Sequence, residues 1–146
     1  MHSIDLEKKT AAALEKPPLS RTVVMRACGR LAGLLTGGAY DGEIRARGLE
    51  KLLTRERICQ AAFFLREDTL ERRVKTELLG LQNRFLMPLG VLMHVTAGNM
   101  TGIGAYSVLE GLLAGNINLL KLSSEDDGLS VFLLQELIRI EPVLAD

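Results

Sequence analysis

The chain has 146 residues, 47% of them hydrophobic and 25% charged, with 18 Lys and Arg against 18 Asp and Glu. That balance describes a globular domain and excludes wholesale disorder, which needs low hydrophobicity and high net charge. No apolar run is long and charge-free enough for a membrane span, and the charged start MHSIDLEKK lacks the apolar stretch of a secretory signal.

The charge is unevenly divided along the chain. Residues 1–87 hold 16 basic and 11 acidic side chains, a net of +5, and residues 88–146 hold 2 against 7, a net of −5. We therefore expect a helical N-terminal region over 1–87 joined near Met87-Pro88 to an α/β region over 88–146. A neutral total argues against nucleic acid as a general partner. Two cysteines, Cys28 and Cys59, at a spacing that suggests no disulfide scaffold, point to reduced thiols and a cytoplasmic protein.

The first helix is expected from Ile4 to Lys16, where good helix formers such as Leu6, Ala11 and Leu14 run into Pro17-Pro18. Ser20 can cap a second, with Val24, Cys28, Leu31 and Leu35 at helical spacing and Gly37-Gly38 at its end. Asp41 is the expected cap of a short third helix running through Leu49, Leu52 and Leu53. Thr54 opens a fourth with Ile58, Ala62 and Leu65. Asp68 or Thr69 opens a fifth, with Leu70, Val74, Leu78 and Leu79, closed by Gly80. The Arg and Glu alternation through this stretch reads as a solvated helix face.

After Pro88 the period changes. Val91 to Val95 is a short apolar run expected to form a buried strand. Thr96 to Gly104 reads as a loop, and Ala105 to Ala114 as a helix of small and apolar residues. Gly115 and Asn116 end it, Ile117 to Leu122 forms a second strand, and Leu129 to Ile140 a last helix before Pro142. Strand, helix, strand, helix is the order of a right-handed parallel βαβ unit. A two-stranded sheet leaves Val91, Val95, Leu119 and Leu120 short of neighbours, so a homo-oligomer or other association through the incomplete sheet, or else loose folding at the C-terminal end, is expected.

Candidate chemistry sits at the C-terminal ends of the strands, where open α/β sheets bind ligands. Asn99 follows the first strand. Its amide can donate to a developing oxyanion, and it can equally serve as a helix cap. Lys121 closes the second strand, with Ser123, Ser124 and Glu125 after it. An ammonium beside hydroxyls and a carboxylate suits the ribose and phosphates of a nucleotide, and it also suits an exposed strand end. Gly98, Gly102 and Gly104 do not form the G-x-G-x-x-G dinucleotide fingerprint. His94 reads as a hydrogen-bonded core residue, and both cysteines as packed thiols. Neither metal-ligand spacing nor a Ser-His-Asp arrangement can be composed from the two histidines, His2 and His94.

The stretch PLGVLMHVTAGNMTGIGAYSVLEGLLAGNINLLKLSS, Pro88 to Ser124, resembles the start of the nucleotide-binding domain of the aldehyde dehydrogenase superfamily. The AGN at Ala97 to Asn99, the GAYS at Gly104 to Ser107, the LLAGN at Leu112 to Asn116 and the KLSS at Lys121 to Ser124 resemble one branch. That branch is the acyl-CoA reductase family, which includes the fatty-acid reductase component of bacterial bioluminescence. The resemblance implies an incomplete Rossmann-like sheet of aldehyde dehydrogenase type. It also implies reduction of an acyl-CoA or acyl-protein thioester to an aldehyde by NADPH or NADH, through a cysteine thioester. In it Asn99 matches the oxyanion donor, and Lys121 the ribose ligand, with Ser123, Ser124 or Glu125 nearby. The usual Lys-Pro-Ser/Ala-Glu is here Lys-Leu-Ser-Ser-Glu, which leaves the register of Glu125 open. The nucleophilic cysteine of the superfamily lies downstream of this segment, so the chain is expected to be an N-terminal fragment with little catalysis alone. Another thioester- or acyl-phosphate-using member of the superfamily, and a non-catalytic interaction module, are the competing readings.

Overall fold

A computed structural model describes residues 3–78, 87–97, 101–124 and 128–145. Helix α1 spans Ser3–Leu14 and α2 spans Arg21–Thr36. Ser20 takes the cap position of α2, but through its backbone. Its carbonyl accepts from the Val23 and Val24 amides at 3.0 and 3.3 Å, and its side chain makes no capping bond.

The third helix, α3, is Asp41–Ala46, shorter than expected. Tyr40, not Asp41, takes its cap position, and Asp41 is its first residue, where a carboxylate meets the positive end of the helix dipole. The chain turns at Gly48, and Leu49 and Leu53 are buried from the turns that follow. Apolar spacing alone carried the helical expectation past that break.

Helix α4 is Arg55–Leu65, capped by Thr54, whose hydroxyl accepts from the Arg57 amide at 3.3 Å. Helix α5 is Glu67–Arg73, beginning one residue before the expected Asp68. It runs into a π-helical turn, Val74–Leu78. Leu79 and Gly80 lie outside the described residues.

Strand β1, Val91–Val95, pairs in parallel with β2, Ile117–Lys121, in the register Val91 with Ile117 through Val95 with Lys121. Helix α6, Ile103–Leu113, connects them, and α7, Leu129–Ile140, follows β2. Helix α6 starts two residues earlier than expected because Gly102, at φ 72°, makes a left-handed turn into it. Asn116, which ends the LLAGN stretch, ties the lead into β1 to the lead into β2. Its Oδ1 accepts from the Leu89 and Gly90 amides at 2.6 and 3.2 Å.

The architecture is mixed and mostly helical, around a two-stranded parallel sheet. One core joins the helical region to the βα part. Val24, Leu31 and Leu35 of α2 share it with Leu109 and Leu113 of α6 and Phe132 and Leu137 of α7. Phe132, fully buried, meets Tyr40 edge-on at 5.7 Å, and the Arg47 guanidinium lies 5.2 Å from its ring. By contrast Met87, Leu89, Met93 and Val95 stand 65–83% exposed along and before β1.

Candidate functional site

The register places Lys121 opposite Val95, so both strands end together, and the segment that carries Asn99 leaves from the same edge. Lys121 is exposed and the last residue of β2. Ser123, half-buried, and Ser124, exposed, follow it towards the start of α7. The Thr96 amide donates to the Lys121 carbonyl at 3.3 Å, which holds the two strand ends together as they leave the sheet. Asn99 and Glu125 lie outside the described residues.

Helix α6 is fastened to the sheet by a polar layer that sequence reading had seen only in part. The Asn118 amide donates from Nδ2 to the Asn116 carbonyl at 2.7 Å, which turns its Oδ1 towards His94. His94 Nε2 donates to that oxygen at 2.9 Å, so Nδ1 is the acceptor for the Ser107 hydroxyl at 2.6 Å. His94 is thus hydrogen-bonded on both nitrogens, as expected for a structural residue. Its partners became visible only with the strand register. Beside this layer lies a cavity of about 290 Å³ bordered by His94, Thr96, Ser107 and Glu110.

A second cavity, of about 340 Å³, opens on the other flank of α6. Its wall combines Leu31 of α2, Ala61 and Phe64 of α4, Ala105 of α6 and Leu133 of α7. Thr101 and Gly102, just after Asn99, border it, and Tyr106 borders both cavities. Burial pushes the Tyr106 hydroxyl up from its ordinary pKa. No apolar period announces this cavity, because four separate helices assemble it.

The two thiols differ. Cys28 is fully buried, and desolvation pushes it up to about 12, so it stays neutral. Cys59 is exposed on α4, which corrects the expectation of a packed thiol. A thiol reagent at neutral pH should label Cys59 within its ordinary reaction time and reach Cys28 only on unfolding. Equal labelling rates would contradict the placement of Cys28. Because the folded value is raised, the stability contributed by the neutral Cys28 thiol is complete below about pH 9 and lost as the pH rises towards 12.

A further buried group escaped the sequence reading. Glu136 of α7 is 0% exposed. Arg139 Nη1 donates to its Oε2 at 3.2 Å and stands 3.1 Å from Oε1. Burial first, and then its hydrogen bond to this carboxylate, push the Tyr40 hydroxyl up from its ordinary pKa. Arg139 also stands 3.9 Å from the Glu43 carboxylate, which links α7 to α3.

Among the described residues no group of His, Cys, Asp and Glu could hold a metal ion, and no helix is long and apolar enough to cross a membrane. Residues 39–146, well over half the chain, match the family described as acyl-CoA reductase (LuxC). No curated protein and no solved structure matches the chain. A family match of that extent, over the segment that builds the strand ends, identifies the chain as a member of the acyl-CoA reductase (LuxC) family.

Proposed function

We propose that this chain supplies the oxyanion donor and the nucleotide-ribose ligand of a nicotinamide-dependent acyl-CoA reductase, which converts an acyl thioester to an aldehyde. The observation that carries the reading is the common edge. Parallel pairing brings Lys121 level with Val95, so the Lys121-Ser123-Ser124 stretch and the segment bearing Asn99 leave the sheet side by side. We read 1–87 as the helical region and 88–146 as the first βαβα part of a Rossmann-like domain of aldehyde dehydrogenase type.

The residues at the edge fit NADPH or NADH. An exposed ammonium and two hydroxyls form a donor set that matches ribose hydroxyls and phosphate oxygens, with Glu125 as a further acceptor in the sequence. The bound cofactor supplies the hydride. Lys121 holds the adenosine ribose, and Ser123 and Ser124 bind beside it. Asn99 donates its amide NH to the oxygen that gains charge as the thioester carbonyl is attacked or reduced. Neither cysteine of the chain suits the nucleophile's part. Cys28 is a buried neutral thiol, and Cys59 sits on α4 outside the residues that border the two cavities. The reading therefore takes the acyl-accepting thiol from outside residues 1–146. The exposed Met93 and Val95 support association through the sheet, with a further copy or further strands of the same enzyme.

Replacing Lys121 with Ala in the assembled enzyme should raise the KM for the cofactor by about five- to hundredfold, the range of one neutral to one charge-assisted hydrogen bond, with kcat little changed. An unaltered cofactor KM would leave Lys121 as a plain strand end.

A further inference from the structure

We infer that the cavity between α2, α4, α6 and α7 holds the acyl chain of the substrate, and that Ala61 and Phe64 of α4 set the chain length the protein accepts. This rests on the reductase reading and adds to it the identity of the apolar subsite. Three observations converge. The cavity's size, about 340 Å³, falls in the range of small-molecule sites. Among the described residues its wall is apolar almost throughout, with Arg57 as the one cation, which suits a hydrocarbon and not a nucleotide or a sugar. Thr101 and Gly102, two and three positions beyond Asn99 in the sequence, border it.

Helix α4 supplies the side of this wall that can vary without disturbing the core. Ala61 is half-buried and Phe64 is 48% exposed, whereas Leu31, Ala105 and Leu137 opposite are almost wholly buried. The small side chain of Ala61 leaves room that a larger one would fill. Phe64 lays a ring along the cavity and packs edge-on against exposed Phe63, at 5.9 Å between ring centres.

The test is direct binding of straight-chain acyl-CoA to the protein, read by calorimetry without turnover. Butanoyl-, octanoyl- and dodecanoyl-CoA share the same head, so only the chain differs. Affinity should climb about fourfold per methylene until the cavity is full, the factor expected for burying one methylene. Ala61→Phe should cut the ratio of dodecanoyl to butanoyl affinity by about tenfold or more, since the ring displaces several methylenes. Phe64→Ala, at a half-exposed position whose loss the fold tolerates, should lower the same ratio several-fold even where Ala61→Phe proves unstable. A wild-type affinity that ignores chain length, or a ratio unchanged in the folded variants, would overturn the assignment. Failure of the reductase reading looks different: no acyl-CoA of any length, butanoyl-CoA included, would be reduced by the assembled enzyme.

Discussion

Gly111→Ala is expected to be among the most damaging single substitutions in the chain, although it adds one methyl group to a helix. A Cβ built on Gly111 falls 1.8 Å from Asn118 Oδ1 and 2.8 Å from its Cγ. The Asn118 amide cannot swing aside freely, because it is held by the Asn116 carbonyl on one side and His94 on the other. Either α6 lifts from the sheet, or the amide leaves both partners. Overpacking of this kind costs about 1–3 kcal/mol, and the loss of hydrogen bonds from half-buried Asn118 to Asn116 and His94 about 1 kcal/mol more. Alanine returns about 1 kcal/mol of helix propensity. The net loss is about 1–3 kcal/mol out of a total stability of about 5–15, which lowers the melting temperature by roughly 5–10 °C. Gly33 of α2 is the control. A Cβ there meets nothing within 4 Å, so Gly33→Ala should stabilise by about 0.5–1 kcal/mol. Thermal unfolding of the two variants measures both effects, and a Gly111→Ala protein that melts at the wild-type temperature would contradict the described contact between α6 and β2.

The largest expected effect on rate is at Asn99. A donor aimed at an oxyanion is worth more in the transition state than in the substrate complex, because the charge develops only there. Asn99→Ala in the assembled enzyme should therefore lower kcat by about 10²–10³, or roughly 2.7–4 kcal/mol, and leave cofactor binding nearly intact. A residue that only caps the following helix costs about 1 kcal/mol of stability, with no selective effect on rate. Asn99→Asp separates the two roles. Aspartate is as good a cap as asparagine, yet it sets a carboxylate where negative charge must form, so the oxyanion role requires both variants to be slow. Steady-state kinetics decide it: an Asn99→Asp enzyme with wild-type kcat would remove Asn99 from the chemistry.

Local signals made much of the fold legible. The run Val91 to Val95 between Gly90 and the following loop is the strand β1. None of its residues is buried, contrary to expectation, because the two-stranded sheet leaves Met93 and Val95 uncovered. Leu129 to Ile140, set between Gly128 and Pro142, is α7 as expected. The expectation failed at α3, where Leu49, Leu52 and Leu53 keep a helical spacing beyond Gly48 although the chain has already turned. Burial, and not helicity, explains those leucines. In the site, Lys121 was legible because a strand end can be read from one segment. The His94, Ser107 and Asn118 layer was not, because it depends on the parallel register and on a helix pressed close enough for Gly111 to touch Asn118. The apolar cavity was still further from view. Ala61, Ala105 and Leu133 each read as ordinary core positions of their own helices, and only packing leaves a space between them.

Under the proposed function this chain serves hydride transfer from a reduced nicotinamide to an acyl thioester. The most direct measurement supplies the assembled enzyme with an acyl-CoA and NADPH or NADH carrying deuterium at the transferable position, and examines the product by mass spectrometry. The expected product is an aldehyde with deuterium on its carbonyl carbon, with free CoA released in equal amount. An aldehyde without deuterium, or acyl-CoA left unreduced with either cofactor, would contradict it.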